Sequence, residues 1–279
     1  MIDMHVHAVS PRLPGVKPLT DVLHEPPETV AATLREEMAA AGITHLLGMG
    51  HLGGTGDDPL GIDSTLAIAA LLPGLHPIGV ADPSRIDTDH LQRVEKQLRQ
   101  GKAKALKGYL GYLYYGPEHP NYVPYYELAA RYRIPFIFHT GDNYSTVAKV
   151  RYAHPLLVDE VAVDHREVNF VMAHFGNPWV TDAAEVVYKN ENVWADLSGI
   201  LVGDEAYFRG LAREGLLQKT VERIQTGMEF TERPERFLYG SDWPLAPMAP
   251  YRDFVRRIVP APYRQLVFED NARALFGLE

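Results

Sequence analysis

Met1-Ile2-Asp3-Met4-His5-Val6-His7 runs straight into Ala8-Val9-Ser10-Pro11-Arg12-Leu13-Pro14-Gly15, and this junction separates the two folds the chain could adopt. The first seven residues read as a short apolar strand. Side chains two apart on a strand share a face, so His5 and His7 point the same way and can grip one ion together. An open doubly wound sheet usually follows its first strand with a glycine-rich dinucleotide loop. His-Ala-Val-Ser-Pro-Arg-Leu-Pro-Gly cannot serve as that loop, which leaves a closed barrel as the expectation.

The rest of the chain agrees. Short apolar or β-branched runs mark eight strands at residues 1–7, 44–50, 76–81, 103–110, 134–140, 168–174, 193–199 and 236–244. Helical patterns separate them. Residues 28–41 stop at Gly42, 64–72 are capped by Asp63, and 89–100 end at Gly101. Residues 125–132, 155–163, 180–189 and 205–224 follow, the last broken near Gly215, and the tail offers 251–258 and 271–276. Strict alternation predicts a (β/α)8 TIM barrel, one α/β domain over residues 1–279. Runs such as PFIF, NFVMA and HLLGM are apolar throughout, as strands buried on both faces must be.

Composition narrows the function. The chain is 46% hydrophobic and 23% charged, ordinary for a globular protein. Its net charge of −9 and lack of any basic run argue against nucleic-acid and membrane partners, and leave a small molecule as the expected substrate. A homo-oligomer is compatible with this composition. There is no cysteine, so any metal must be held by nitrogen and oxygen. Neither a signal-peptide pattern nor an apolar run of roughly 20 residues is visible, and a cytoplasmic location is expected. Gly53-Gly54-Thr55-Gly56 lacks a following Lys-Ser/Thr and reads as a turn rather than a phosphate loop.

Position sorts the twelve histidines. The working face of a barrel lies at the strand C-termini. His45 and His76 fall at strand beginnings and are expected to be structural. His24, His90, His119, His154 and His165 fall in helices or connections and read as solvated or cap residues; His51 follows the second strand and is a weaker candidate. His5, His7, His139 and His174 remain, with Asp242 at the end of the eighth strand. One β/α unit separates His139 from His174, two separate His174 from Asp242, and four separate His7 from His139. A lone strand histidine is ordinarily a hydrogen-bonded core residue, but these five on one rim predict a metal centre. Lys107, ending the fourth strand, is read as a metal-bridging carbamylated lysine, a charge aimed at substrate, or a lysine paired with an acid. Lys104 should face the other way.

At these residues the chain resembles the amidohydrolase superfamily, in the amidohydrolase-related branch that includes the aminocarboxymuconate-semialdehyde decarboxylase group. The matching elements are DMHVH, ALKGYLGY, PFIFHTGD, FVMAHFGNPW and YGSDWP on strands one, four, five, six and eight, with residues 270–278 similar to the family's closing helix. The resemblance implies that His5, His7, His139 and Asp242 bind the metal, with His174 a further ligand or a catalytic histidine beside it. Lys107 would be a ligand only in a two-metal site, whereas many relatives in this branch use one ion. The branch holds hydrolases, decarboxylases and hydratases.

Nitrogen and oxygen ligation suits zinc best, with manganese, iron or cobalt as other choices. The expected reaction is hydrolysis of an amide, lactone or related carboxylic derivative by a metal-activated water. Asp242 would carry the proton and His174 would polarise the carbonyl or stabilise the oxyanion. The alternative is metal-dependent non-oxidative decarboxylation or hydration of an aromatic or unsaturated acid. Phosphoester cleavage would want a more cationic mouth, and a purely structural metal would want a closed site. For substrate contacts the loops offer Tyr109 and Tyr112 after strand four, with Tyr114 and Tyr115 read rather as a clamp between loops. Asn143 and Arg151 follow strand five, Asn177 and Trp179 strand six, and Trp243 stands beside Asp242. Residues 10–24 are long enough to fold over the mouth, as a lid or as a fixed connection.

Overall fold

The apolar runs become eight short parallel strands in the computed structural model, which describes residues 1–279. They are β1 (Ile2–Val6), β2 (His45–Met49), β3 (Leu75–Val80), β4 (Leu106–Gly108), β5 (Phe136–Phe138), β6 (Phe170–Met172), β7 (Val193–Asp196) and β8 (Phe237–Leu238). Each pairs with the next in sequence order. β1 then meets the β8 side of the sheet: Met4 N donates to Tyr239 O at 2.9 Å, Asp242 N to His5 O at 2.8 Å and His7 N to Trp243 O at 2.7 Å. The result is a single-domain (β/α)8 barrel.

Ten helices wrap it: α1 (Pro27–Ala41), α2 (Asp63–Ala69), α3 (Thr88–Arg99), α4 (Val123–Tyr132), α5 (Leu156–Asp164), α6 (Val180–Lys189), α7 (Glu205–Arg213), α8 (Leu216–Thr231), α9 (Met248–Ile258) and α10 (Asn271–Phe276). The break expected near Gly215 is there. Gly215 takes a left-handed φ of 72° between α7 and α8, which lets α8 start in a new direction. α8 runs on to Thr231, beyond the expected end at 224. The cap of α2 is a correction: the Asp58 carboxylate, not Asp63, accepts the N–H groups of Ile62 (2.8 Å) and Asp63 (3.2 Å).

Two apolar layers hold the molecule together. Met4, Leu47, Met49, Ile78, Ile137 and Val171 fill the barrel, and Phe276 of α10 joins them. The opposite strand faces, including Leu46, Leu106, Phe136 and Phe237, pack outward against the helices. Each such buried side chain contributes roughly 1.5–3 kcal/mol. β1 changes face along its length. Ile2 and Met4 belong to the inner layer but Val6 to the outer one, and the β1–β2 register shifts between Asp3 and Val6. That irregularity turns His5 and His7 into the barrel.

At the strand beginnings His45 Nδ1 and His76 Nε2 lie 3.0 Å apart, a structural pair as expected. His90 departs from expectation. Its ring is buried and bonded to the Tyr125 hydroxyl at 3.0 Å, because the first turn of α3 faces α4. His51 is buried too, against Leu52 O (2.9 Å) and 3.8 Å from Asp58. Lys104 faces the barrel bottom and donates to Gly277 O. No helix is long and apolar enough to cross a membrane.

Candidate metal centre

His5 lies in β1 and Lys107 in β4, while His7, His139, His174 and Asp242 lie just beyond the ends of β1, β5, β6 and β8. All six line one cavity at the strand C-termini. Two of them depend on strained backbone. Ala173 faces the barrel interior, so ordinary alternation would send His174 outward. A left-handed φ of 62° brings it back, and Asp242 adopts φ 61° in the same way. Such conformations cost of order 1–3 kcal/mol each and persist only where the surroundings enforce them. Here His174 N donates to Asp196 Oδ1 at 3.1 Å and Asp242 N to His5 O. Gly199 leaves the space they need: a Cβ there would strike His174 Nδ1 and come within 2.9 Å of Asp242 Oδ2.

Hydrogen bonds assign the ring protons. His5 Nδ1 is 2.9 Å from Asp196 Oδ2, which places the proton on Nδ1 and leaves Nε2 bare. That Nε2 lies 3.6 Å from Asp242 Oδ1, and His7 Nε2 lies 3.5 Å from the same oxygen. Asp242 Oδ1 is buried with no hydrogen-bond partner. His139 Nε2 faces Asp142 O at 3.0 Å and His174 Nδ1 faces Ser198 O at 3.2 Å; carbonyls only accept, so both of these nitrogens carry hydrogen. Their other nitrogens, His139 Nδ1 and His174 Nε2, are then both bare and only 3.2 Å apart. Burial, with the charges of His174 and Lys107, holds His139 well below its ordinary value, so a proton is a poor bridge between them. Bare nitrogens facing one another in a cavity that also holds an unpartnered carboxylate oxygen suit a cation with nitrogen and oxygen ligands, although His139 falls outside both three-residue groups close enough to share one ion.

Charges in the site are set by burial against neighbours. Burial, then the Lys107 charge, lowers His5 to about 4, so it is neutral at pH 7. Burial pushes the Asp242 carboxyl up, but the neighbouring imidazoles, His7 first, outweigh it and hold it well below the carboxylate range. Asp196 is likewise raised by burial and pulled further down by His5 and Ser198. Burial lowers Lys107 to about 8 against the opposing pull of Asp196 and Asp242.

Two candidate cation clusters share His5: His5–His7–Asp242 and His5–His174–Asp196. The first is the better. Asp196 is already engaged, accepting from His5 Nδ1, His174 N, Ser198 N and Ser198 Oγ. It orients the ring of His5 and the backbone of His174 rather than offering a free oxygen. Asp196 and Ser198 are the residues that sequence reasoning missed. The signal was present in VWADLSG, where a carboxylate and a hydroxyl two apart end a strand, the same spacing that exposed His5 and His7.

Of the expected substrate contacts, Tyr109, Tyr112 and Asn177 line the cavity. Tyr109 donates to Gly50 O at 2.7 Å, and Tyr112 sets its ring edge against His139 with centroids 5.0 Å apart. Asn177 Oδ1 accepts from Arg223 at 2.8 Å. Four others lie elsewhere. Asn143 turns back to donate to Leu110 O, Arg151 is exposed and folds onto Tyr152, Trp179 packs on His154, and Trp243 is buried in the outer core. Tyr114 clamps the neighbouring loop through Val147 O, as expected. The segment after β1 roofs the cavity with Leu13, Val16 and Leu19, tied down by Ser145 Oγ donating to Pro14 O at 2.8 Å.

The amidohydrolase family model matches residues 2–278. No curated protein matches the chain. Among solved structures, an uncharacterised TIM-barrel protein from Bordetella bronchiseptica superposes with a TM-score of 0.68 at 18% identity, covering 100% of this chain and 99% of that one. A probable 2-pyrone-4,6-dicarboxylic acid hydrolase from Acinetobacter baumannii gives 0.65 at 16%, over 99% and 98%. A 2,6-dihydroxybenzoate decarboxylase from Rhizobium gives 0.61 at 16%, over 99% and 98%. At such identities these likenesses speak for the fold alone. With the family model spanning nearly its whole length, on an eight-stranded barrel whose rim gathers histidines and aspartate, this chain belongs to the amidohydrolase family.

Proposed function

We propose that the protein is a metal-dependent hydrolase of an amide, lactone or related carboxylic derivative of a small molecule. The observation that carries this reading is Asp242: an ionised, buried carboxylate whose Oδ1 has no hydrogen-bond partner and lies within 3.6 Å of two imidazole nitrogens. His5, His7, His139 and Asp242 would hold one divalent cation, with zinc the best match to the donor set and His174 beside it. When bound, such an ion lends Lewis acidity to a substrate carbonyl and lowers the pKa of nearby water. Asp242 accepts the proton of the attacking water and returns it to the leaving group. His174, its Nδ1 proton held by Ser198, presents a bare Nε2, so it polarises a carbonyl oxygen only after taking up a proton. Asp196 keeps His5 in the tautomer that points Nε2 at the site.

Decarboxylation or hydration of an aromatic or unsaturated acid is the second reading. It is favoured by the Lys107 ammonium, a cation in the same cavity that can face an acid substrate. A panel of lactones, cyclic amides and aromatic acids, followed for both acid release and gas evolution, separates the two. Acid release without gas, lost on chelation and restored by zinc, is the expected result. Gas evolution or water addition would replace it with the second reading, and full turnover after exhaustive chelation would end both.

A further inference from the structure

Lys107 is completely buried, yet its Nζ has no hydrogen-bond partner. It stands in the inward row of β4, between Ala105 of the inner layer and Tyr109, and its amine lies 5.6 Å from the Tyr109 ring centroid. The carboxylates that act on it through space are Asp196 and Asp242, and neither is within hydrogen-bond distance. Asp196 is occupied by His5, His174 and Ser198, and Asp242 faces the imidazoles. A buried ammonium without an acceptor is costly, and the inner row of a barrel is ordinarily filled by apolar side chains. A cation kept at such a place calls for an anion that arrives from the cavity.

The remaining lining limits what that anion belongs to. Lys107 is the only lysine or arginine lining the cavity, and Arg151, the other cation expected there, is folded onto Tyr152. The roof and sides present Leu13, Val16, Leu19, Val202 and Leu245. Asp142 and Asp242 also line the space and repel further negative charge. A carboxylate directed away from both Lys107 and the proposed metal ion would therefore be desolvated against apolar side chains with no cation to meet it.

We infer that Lys107 is the substrate-carboxylate anchor, and that the substrate is a monocarboxylate with an uncharged, apolar body lying against the roof. This rests on the reading that the cavity is the substrate site, but not on which bond is broken there.

Calorimetric binding of benzoate, benzamide and isophthalate to the zinc-loaded protein tests it without any turnover. Benzoate should bind at least about tenfold tighter than either the neutral amide or the dicarboxylate. Lys107→Met should remove the preference while leaving benzamide binding unchanged, and should melt no lower than wild type because a buried charge is gone. Lys107→Gln, uncharged but able to hydrogen-bond, serves the same purpose if the methionine variant does not fold. Three results would overturn the inference: no preference for benzoate in the wild type, a preference that survives in the variants, or native mass spectrometry showing carbon dioxide bound covalently to Lys107. Loss of hydrolytic activity in every panel assay would discard the proposed reaction and leave the binding preference standing.

Discussion

Asp242 combines a left-handed backbone with a buried charge, and both are unfavourable unless the side chain is needed where it is. Asparagine is among the residues that tolerate φ near 60°, so Asp242→Asn should fold, with a circular dichroism spectrum matching wild type. Its carboxamide cannot accept the proton, and turnover on an established substrate should drop by about 10²–10⁴-fold. Near-wild-type rates would remove Asp242 from the proton-carrying role. A second titration sits at the far end of the barrel. Burial, then the His45 charge, lowers His76 to about 4 from an ordinary 6.5. Between those values the unfolded chain binds the proton and the folded one does not, so stability falls as pH drops through 6.5 and the loss is complete below 4. Thermal melts of His76→Gln should therefore lose less between pH 6.5 and 4 than those of wild type. Equal slopes would mean that His76 titrates normally in the fold.

Helices were more legible than strands, for a local reason. α1, α3 and α6 carry their periodicity and stop signals in consecutive residues, and the expected spans lie within a residue of those observed. β5, β6 and β8 are only three, three and two residues long, against expected runs of seven or more. The apolar run continues past the last ladder bond, because the residues beyond it are buried by the mouth rather than by a neighbouring strand. Gly215 offers a clean test of an element boundary. A Cβ there would meet nothing within 4 Å, so replacement costs only the left-handed backbone. Gly215→Ala should destabilise by about 1 kcal/mol, read from the denaturant midpoint at unchanged slope. No shift would show that the α7–α8 junction relaxes freely.

For the whole molecule, function and closure sit at opposite ends. The cavity opens at the strand C-termini, while Phe276 of α10 packs with Ile2 and Met4 in the inner layer. Phe276→Ala should cost about 3–5 kcal/mol in stability while the folded fraction keeps its turnover number, measured as rate per active molecule. A loss of turnover in the folded fraction would show that strain crosses the barrel. The sequence by itself determined the barrel and the rim residues, because strand–helix alternation and a polar residue at a strand's end are local patterns. His5, His7, His139, His174, Lys107 and Asp242 could all be named from it. Only the tertiary structure decided which atoms face one another. The shift in β1 that turns two histidines inward, the left-handed turns at His174 and Asp242, and the grip of Asp196 on His5 depend on contacts between strands far apart in the chain. Packing also places Arg151 on Tyr152, Trp179 on His154 and Trp243 in the outer core, and residue order does not say which partner a side chain will take.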